Sequence, residues 1–194
     1  MDIHHRSSRL TSRGAARSRL VLLAPLQLNH PFSQILADGV RYQKLLSEAQ
    51  QLRGRIYLQD SAIQPWEVSA SGRYIQASDK ASWHVLTVDE NERVTGCVRY
   101  FQHHKEVVFS ELGLSKSAIA NSVEWAPLVR DAVQAQISSA ARRRFSYVEL
   151  GGWALSHELR YSAAALRMIL SVYALASVTG NALAVTTAIR FSGS

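Results

Sequence analysis

Cysteine is nearly absent: Cys97 stands alone among 194 residues. A single thiol excludes an intrachain disulfide framework and a cysteine-rich zinc module, and it fits a reducing compartment such as the cytoplasm. No internal repeat is visible, so a repeat architecture is not expected. Acidic residues are in the minority, 15 against 22 Lys and Arg, for a formal net charge of +7. That excess raises nucleic acid or an anionic ligand as a partner. With 47% hydrophobic residues, the chain is too apolar for disorder throughout. Its length suits one globular domain of ordinary size.

The basic excess is uneven. Residues 1–20 hold Arg6, Arg9, Arg13, Arg17 and Arg19 against Asp2 alone. Residues 1–30 are therefore expected to be an Arg/Ser-rich, disordered leader, with the folded domain over 31–194. A transit-type peptide or a nucleic-acid-binding arm is the sharper alternative for the leader. The run Leu20–Leu28 is short, contains Pro25 and lacks a small-residue cleavage pattern, so it does not read as a secretory signal. Met168–Ile189 is a stretch of 22 residues without a charge. Gly180-Asn181 cuts it and β-branched residues follow the cut. A buried helix covered on both faces, a turn and a buried strand are expected there rather than a membrane span.

Along the chain, residues 34–53 read as an amphipathic helix carrying Tyr42, Leu45, Leu46, Ala49 and Leu52 at helical spacing. Arg55–Leu58 reads as a short extended piece after Gly54. The clearest β signal is a hairpin, Trp83–Val88 and Val94–Phe101 around Asp89–Glu92, with Gly96 marking a bulge or a close backbone approach. Ser117–Arg144 reads as mostly helical, with Pro127 as its start or a kink. Its Arg142-Arg143-Arg144 end suits the negative pole of the helix dipole. Tyr147–Leu155 reads as a strand interrupted by Gly151-Gly152. A loop, a helix from about Ser162 to Thr179 and a strand over Ala182–Ile189 complete the pattern.

The chemistry concentrates after the interrupted strand. A helix start leaves N–H groups without intrahelical partners, pointing along the positive end of the dipole, which suits a phosphate. Ala163, Ala164 and Ala165 would let a diphosphate approach the backbone, and Arg160 can add a charge-assisted contact. The plain alternative is close packing of the helix on the sheet. Two glycines inside a buried strand weaken its ladder unless the gap is used. A bulge there would free N–H and C=O groups for an extended amide ligand or an oxyanion. Glu149 lies in an apolar run. A buried carboxylate with a raised pKa would suit a general base. The plain alternative is a solvent-facing carboxylate or one paired with an arginine such as Arg99.

These residues resemble the GNAT superfamily of acyl-CoA N-acyltransferases. Its pyrophosphate loop is written Q/R-x-x-G-x-G/A, and Arg160, Ala163 and Ala165 occupy those positions. The acidic residue of its central strand corresponds to Glu149. Trp83–Phe101, with Val94–Arg99, is similar to the family's central hairpin, and the Gly96-Cys97-x-Arg99 run with Val148-Glu149-Leu150 is also similar to the acyl-homoserine lactone synthase branch. That branch has an arginine three residues after the glutamate where this chain has Gly152, which argues against homoserine-lactone synthesis. The resemblance spans about residues 34–60 and 83–190. It implies an α/β (α+β) fold with a mixed central sheet flanked by helices. The helical segment before the Glu149 strand is longer than the family's, and the chain ends before the family's last helix and two strands, so the domain is expected to be incomplete at its C-terminus.

The resemblance further implies an acetyl-CoA or longer acyl-CoA co-substrate, or an acyl carrier protein, and a small-molecule amine or amino-acid acceptor. Glu149 would be the catalytic base. The diphosphate would sit at Arg160, Tyr161, Ser162, Ala163 and Ala165, and the pantetheine would run along Trp153, Ala154 and Leu155. No metal is implied, and none is expected from the histidines. His4-His5 and His103-His104 are adjacent pairs that point to different sides. His84 lies in the hairpin, and His157 reads as an exposed loop residue. Cys97 reads as a buried apolar residue, and Trp66, Trp83, Trp125 and Trp153 as core or half-buried. Two other readings stay open: an inactive or partner-dependent CoA-binding fragment, and a nucleic-acid-binding module using the basic arm. The acceptor, the acyl length and the oligomeric state are not specified.

Overall fold

The computed structural model describes residues 18–25, 39–160 and 162–186. Five strands form one sheet in the order β1-β2-β3-β4-β5: β1 (Arg19–Leu23), β2 (Trp83–Val88), β3 (Val94–Gln102), β4 (Ser146–Leu155) and β5 (Ala182–Thr186). The first four are antiparallel, and β4 and β5 are parallel. Three α-helices flank the sheet: α1 (Gly39–Gln59), α2 (Ala126–Arg143) and α3 (Ala164–Val178). The last of these makes the crossover that a parallel pair requires. This is the expected mixed sheet flanked by helices.

The hairpin forms where alternation and its acidic turn place it. Gly96 makes the close approach, since a Cβ there would stand 2.8 Å from Leu155 Cδ2. Helix α1 lays Tyr42, Leu45, Leu46, Ala49, Leu52 and Ile56 on β2 and β3, with Leu86, Val88 and Cys97 opposite. Arg55–Leu58, expected to be extended, continues this helix. Ile56 follows Leu52 into the same core, and Gly54 is in the helix because the chain at Gly72 crosses it: a Cβ on Gly54 would stand 2.2 Å from the Gly72 carbonyl oxygen. Residues 34–38 of the expected helix lie outside the described residues.

Strand β1 falls inside the segment expected to be a leader. Its alternation serves two cores, with Val21 and Leu23 toward α1 and Leu22 toward α3. The leader positions 1–17 and 26–30 lie outside the described residues. Pro127 sits in the first turn of α2 and starts it. The residues before it, expected to be helical from Ser117, form a 3-10 turn at Ile119–Asn121. Arg142 and Arg143 end α2, and Arg144 caps it in the left-handed conformation at φ 57°.

The uncharged run resolves into α3, a turn at Gly180-Asn181 (φ 105° and 67°) and β5. No helix among the described residues is long and apolar enough to cross a membrane. Among the described residues, nothing covers the outer face of helix α3. Met168, Val172 and Leu175 are buried on the sheet, whereas Leu166, Ile169, Leu170 and Tyr173 are exposed. One sheet can cover only one helix face. Residues 187–189 of the expected last strand lie outside the described residues. Of the tryptophans, Trp83 is in the core and Trp153 half-buried, but Trp66 and Trp125 are exposed.

Candidate functional site

The interrupted strand carries a true bulge. Cys97 pairs with Ala154 and Arg99 with Gly151, so Val98 alone opposes Gly152 and Trp153. Gly152 adopts φ 65°, a conformation that disfavours any side chain. Its carbonyl accepts a bond from the Cys97 thiol at 3.2 Å. The thiol itself is sealed, and burial pushes its pKa up to about 11, which fits the apolar role expected of it.

Beyond the bulge, β4 has a free edge among the described residues. The ladder to β5 runs from Ser146–Ala182 to Leu150–Thr186, and no described strand pairs with Gly151–Leu155 on that side. Trp153 and Leu155 lean on the α3 core, whereas Ala154 belongs to the α1 core. The chain then passes through a 3-10 turn, His157–Leu159, to the start of α3. There the Ala164 N–H donates to Ser162 Oγ at 3.1 Å, and Ser162 Oγ donates to the Leu159 carbonyl. Ala164 is buried on the sheet, as close packing requires, while Ser162 and Ala163 are exposed and Ala165 half-buried. Arg160 forms an ion pair with Asp60 at 3.0 Å, just past the end of α1. Tyr161 lies outside the described residues.

Glu149 pairs across the sheet with Phe101. Alternation puts it on the side of β4 that also carries Tyr147 and Gly151, beside Arg99, Phe101 and His103. Tyr147 packs under α2 and Cys97 under α1. Between them on this side lie Arg99, Phe101, His103 and Glu149, and the Arg99, His103 and Glu149 side chains are 11%, 5% and 14% exposed. The Glu149 carboxylate accepts three bonds, each at 2.9 Å: from the Gly113 and Leu114 N–H groups and from His103 Nε2. Burial would raise its pKa, but the His103 hydrogen bond and the two backbone N–H groups outweigh burial and hold it below the usual carboxylate range. The raised pKa expected from its apolar sequence neighbours is therefore corrected. So is the expected alternative partner, Arg99.

Arg99 instead joins a buried cluster. Asp79 accepts a two-point ion pair from Arg53, at 2.7 and 3.0 Å, with side-chain exposures of 2% and 1%. Arg99 Nη1 lies 3.5 Å from the same carboxylate and donates to Gln76. Two guanidinium groups thus face one carboxylate, and the Nε of each is buried without a hydrogen bond. Burial and the Arg53 charge lower the Arg99 pKa against the pull of Asp79.

The sequence did not single out Arg53, Asp79, Gly113 or Leu114, and it read His103 only as half of an adjacent pair. His104 does point elsewhere, toward Glu106 and Glu111. His157 is exposed. No group of three metal-ligating side chains exists among the described residues. A cavity of about 590 Å³ also opens between α1, the hairpin turn and the loop after β4, lined by Glu48, Arg55, Arg93, Thr95 and Ser156 among others.

No protein-family model matches the sequence, and no curated protein sequence matches it. Solved structures do match. The acyl-homoserine lactone synthase LasI superposes with a TM-score of 0.51 at 16% identity, over 88% of this chain and 72% of that one. The CoA-dependent acyl-homoserine lactone synthase BjaI, solved with S-adenosylmethionine (SAM) and isopentyl-CoA, gives a TM-score of 0.56 at 15% identity. It is covered over 66% of its length by 88% of this chain, so the chain spans just under two thirds of that enzyme. The likeness is one of architecture, and by it the chain has the GNAT-like fold of the acyl-homoserine lactone synthases.

Proposed function

We propose that this chain moves an acyl group from a CoA or carrier-protein thioester to an amine acceptor, with the Glu149 carboxylate driving removal of the amine's proton, directly or through a relay. One observation carries the reading. A carboxylate is held in place on β4 two residues before the Gly151-Gly152 interruption, on a strand whose far edge has no described partner from Gly151 onward. A pantetheine arm is a chain of amides, and the edge of Trp153–Leu155 offers backbone groups in the pattern that amides pair with. Bulge amides that are not used by the ladder can donate to the oxyanion formed when a nucleophile adds to the thioester carbonyl.

The helix start after β4 would receive the diphosphate around Ser162–Ala165. Two local contacts bear on this. Arg160 must loosen from Asp60 to reach a phosphate, and the Ser162 hydroxyl already holds one first-turn amide. Diphosphate binding therefore exchanges partners rather than filling an empty cradle. An alkyl ammonium has a pKa of about 10, so an acceptor amine arrives protonated at neutral pH. Its lone pair must be freed before it can attack, and the ionised Glu149 supplies the negative charge for that step.

The experiment mixes purified protein with acetyl-, octanoyl- or acyl-carrier-protein thioesters and a panel of amines and amino acids, and follows thiol release. The reading predicts amine-dependent release that falls at least about 100-fold in Glu149→Gln, while CoA binding by calorimetry persists. CoA binding without turnover by any thioester would instead support an inactive or partner-dependent CoA-binding protein. Absence of CoA binding together with no thiol release from any of the thioesters, carrier-protein ones included, would refute the reading.

A further inference from the structure

We infer that His103 is the residue that takes the proton from the acceptor amine, and that Glu149 is the residue that positions it. The inference rests on the acyl-transfer reading and deepens it. Glu149 accepts the Leu114 N–H on Oε1, and the Gly113 N–H and His103 Nε2 on Oε2. Donors on both oxygens stabilise the charged form and make the carboxylate a weak base. They also fix its orientation. An ionised carboxylate only accepts hydrogen bonds, so a neutral His103 ring carries its proton on Nε2 and its lone pair on Nδ1. No described residue donates to Nδ1.

The ring is held as a base should be. Its side chain is 5% exposed and packs edge-on against Phe101 at 4.6 Å between centroids. Its backbone N–H is tied across to the Tyr147 carbonyl of β4. Among the described residues, the charged groups that face it are Glu149 on β4 and Glu111 on the 3-10 turn Phe109–Glu111. Phe101 and Arg99 share one side of β3 and stand beside Glu149 and Gly151 of β4, and His103 lies one residue past the end of β3. Along β4, Glu149 and Gly151 are two residues apart, about 7 Å. An amine between the dyad and a thioester at the bulge would span that gap.

The step balances as follows. The ammonium gives one proton to His103 Nδ1. Its freed lone pair forms the C–N bond at the thioester carbonyl. The C–S bond breaks with its electron pair leaving on sulfur, and a second proton from the nitrogen ends on the thiolate. His103 then releases its proton to water, while Glu149 stabilises the imidazolium during the step.

The test compares His103→Gln with wild type and with Glu149→Gln. Glutamine can still donate to Glu149 but cannot accept the proton. We expect His103→Gln to bind acyl-CoA normally and keep its KM for the thioester, while kcat at neutral pH falls about 100- to 10,000-fold. The acidic limb of kcat/KM against pH should disappear, and the deficit should shrink as pH rises toward the amine's own pKa. If His103→Gln keeps wild-type kcat and the same pH profile while Glu149→Gln is inactive, the inference fails and the acyl-transfer reading stands. If wild type releases no thiol with any amine, both fall together.

Discussion

Arg53 Nη1 lies 3.0 Å from the point where a Cβ on Gly152 would stand. The bulge of β4 is thus fitted against a guanidinium from α1, and the missing side chain of Gly152 is the space that Arg53 uses. Gly152 also needs its left-handed φ of 65°. Gly152→Ala is expected to destabilise the fold by about 1–2 kcal/mol from the backbone alone, and by more if Arg53 must shift. Denaturant unfolding with an unchanged m-value checks this. An unchanged midpoint would show that the bulge is not strained against α1.

Among the described residues, Asp79 is the one carboxylate in direct contact with both Arg53 and Arg99. Asp79→Asn leaves two buried cations uncompensated and should cost about 3–5 kcal/mol. The hydrogen bond and charge of Arg53 hold the Asp79 pKa below its usual value despite burial. The unfolded chain takes up this proton first as pH falls. Its contribution is therefore complete above the ordinary aspartate value of about 3.9 and is lost as pH drops through the depressed folded value. Unfolding curves of wild type and Asp79→Asn should converge in that acid range. Parallel curves down to full acid unfolding would contradict the assignment.

His84 gives a stability change at milder pH. It is buried against the Asp79 carbonyl at 2.7 Å, and burial pushes its pKa down to about 4 from 6.5. Between those values the unfolded chain binds a proton that the folded chain refuses, so stability falls as pH drops from about 6.5 to about 4 and is flat in this term outside the window. The loss amounts to about 3 kcal/mol. His84→Gln should remove that component of the slope. An identical slope in the variant would place the titration elsewhere.

How much of this was legible in the sequence depended on whether the signal was local. The hairpin was, because alternating apolar residues flank an acidic turn. The bulge was, because two glycines interrupt an apolar strand. The end of α1 was not. Gly54 looks like a stop, and only the chain crossing at Gly72 explains a glycine inside a helix. Strand β1 was hidden because a five-residue strand with four apolar residues behind arginines looks like the end of a tail until β2 pairs with it. Glu149 was found from its strand, but its electrostatics were misjudged: the donors that lower its pKa come from His103, Gly113 and Leu114, 35 to 46 positions away in the chain. The Arg53–Asp79 pair joins a helix to a loop 26 residues later, and no spacing rule announces it.

Arg160 offers a test of the diphosphate site that is independent of turnover. Arg160→Gln should weaken CoA binding about 10- to 100-fold, the worth of one charge-assisted hydrogen bond, and leave the binding of an acyl-pantetheine lacking the diphosphate unchanged. Asp60→Asn, which frees Arg160 from its ion pair, should tighten CoA. Calorimetry on the three proteins checks this. Equal losses for both ligands would mean that Arg160 only braces the loop.

A structure with a non-hydrolysable acyl-CoA analogue bound tests the central claim most directly. The account predicts the pantetheine along Trp153–Leu155, the diphosphate at Ser162–Ala165, and the acyl carbonyl at the Gly152 bulge facing the Glu149–His103 pair. A ligand seated instead in the cavity lined by Arg55 and Arg93, or a β4 edge left bare at saturating ligand, would contradict it.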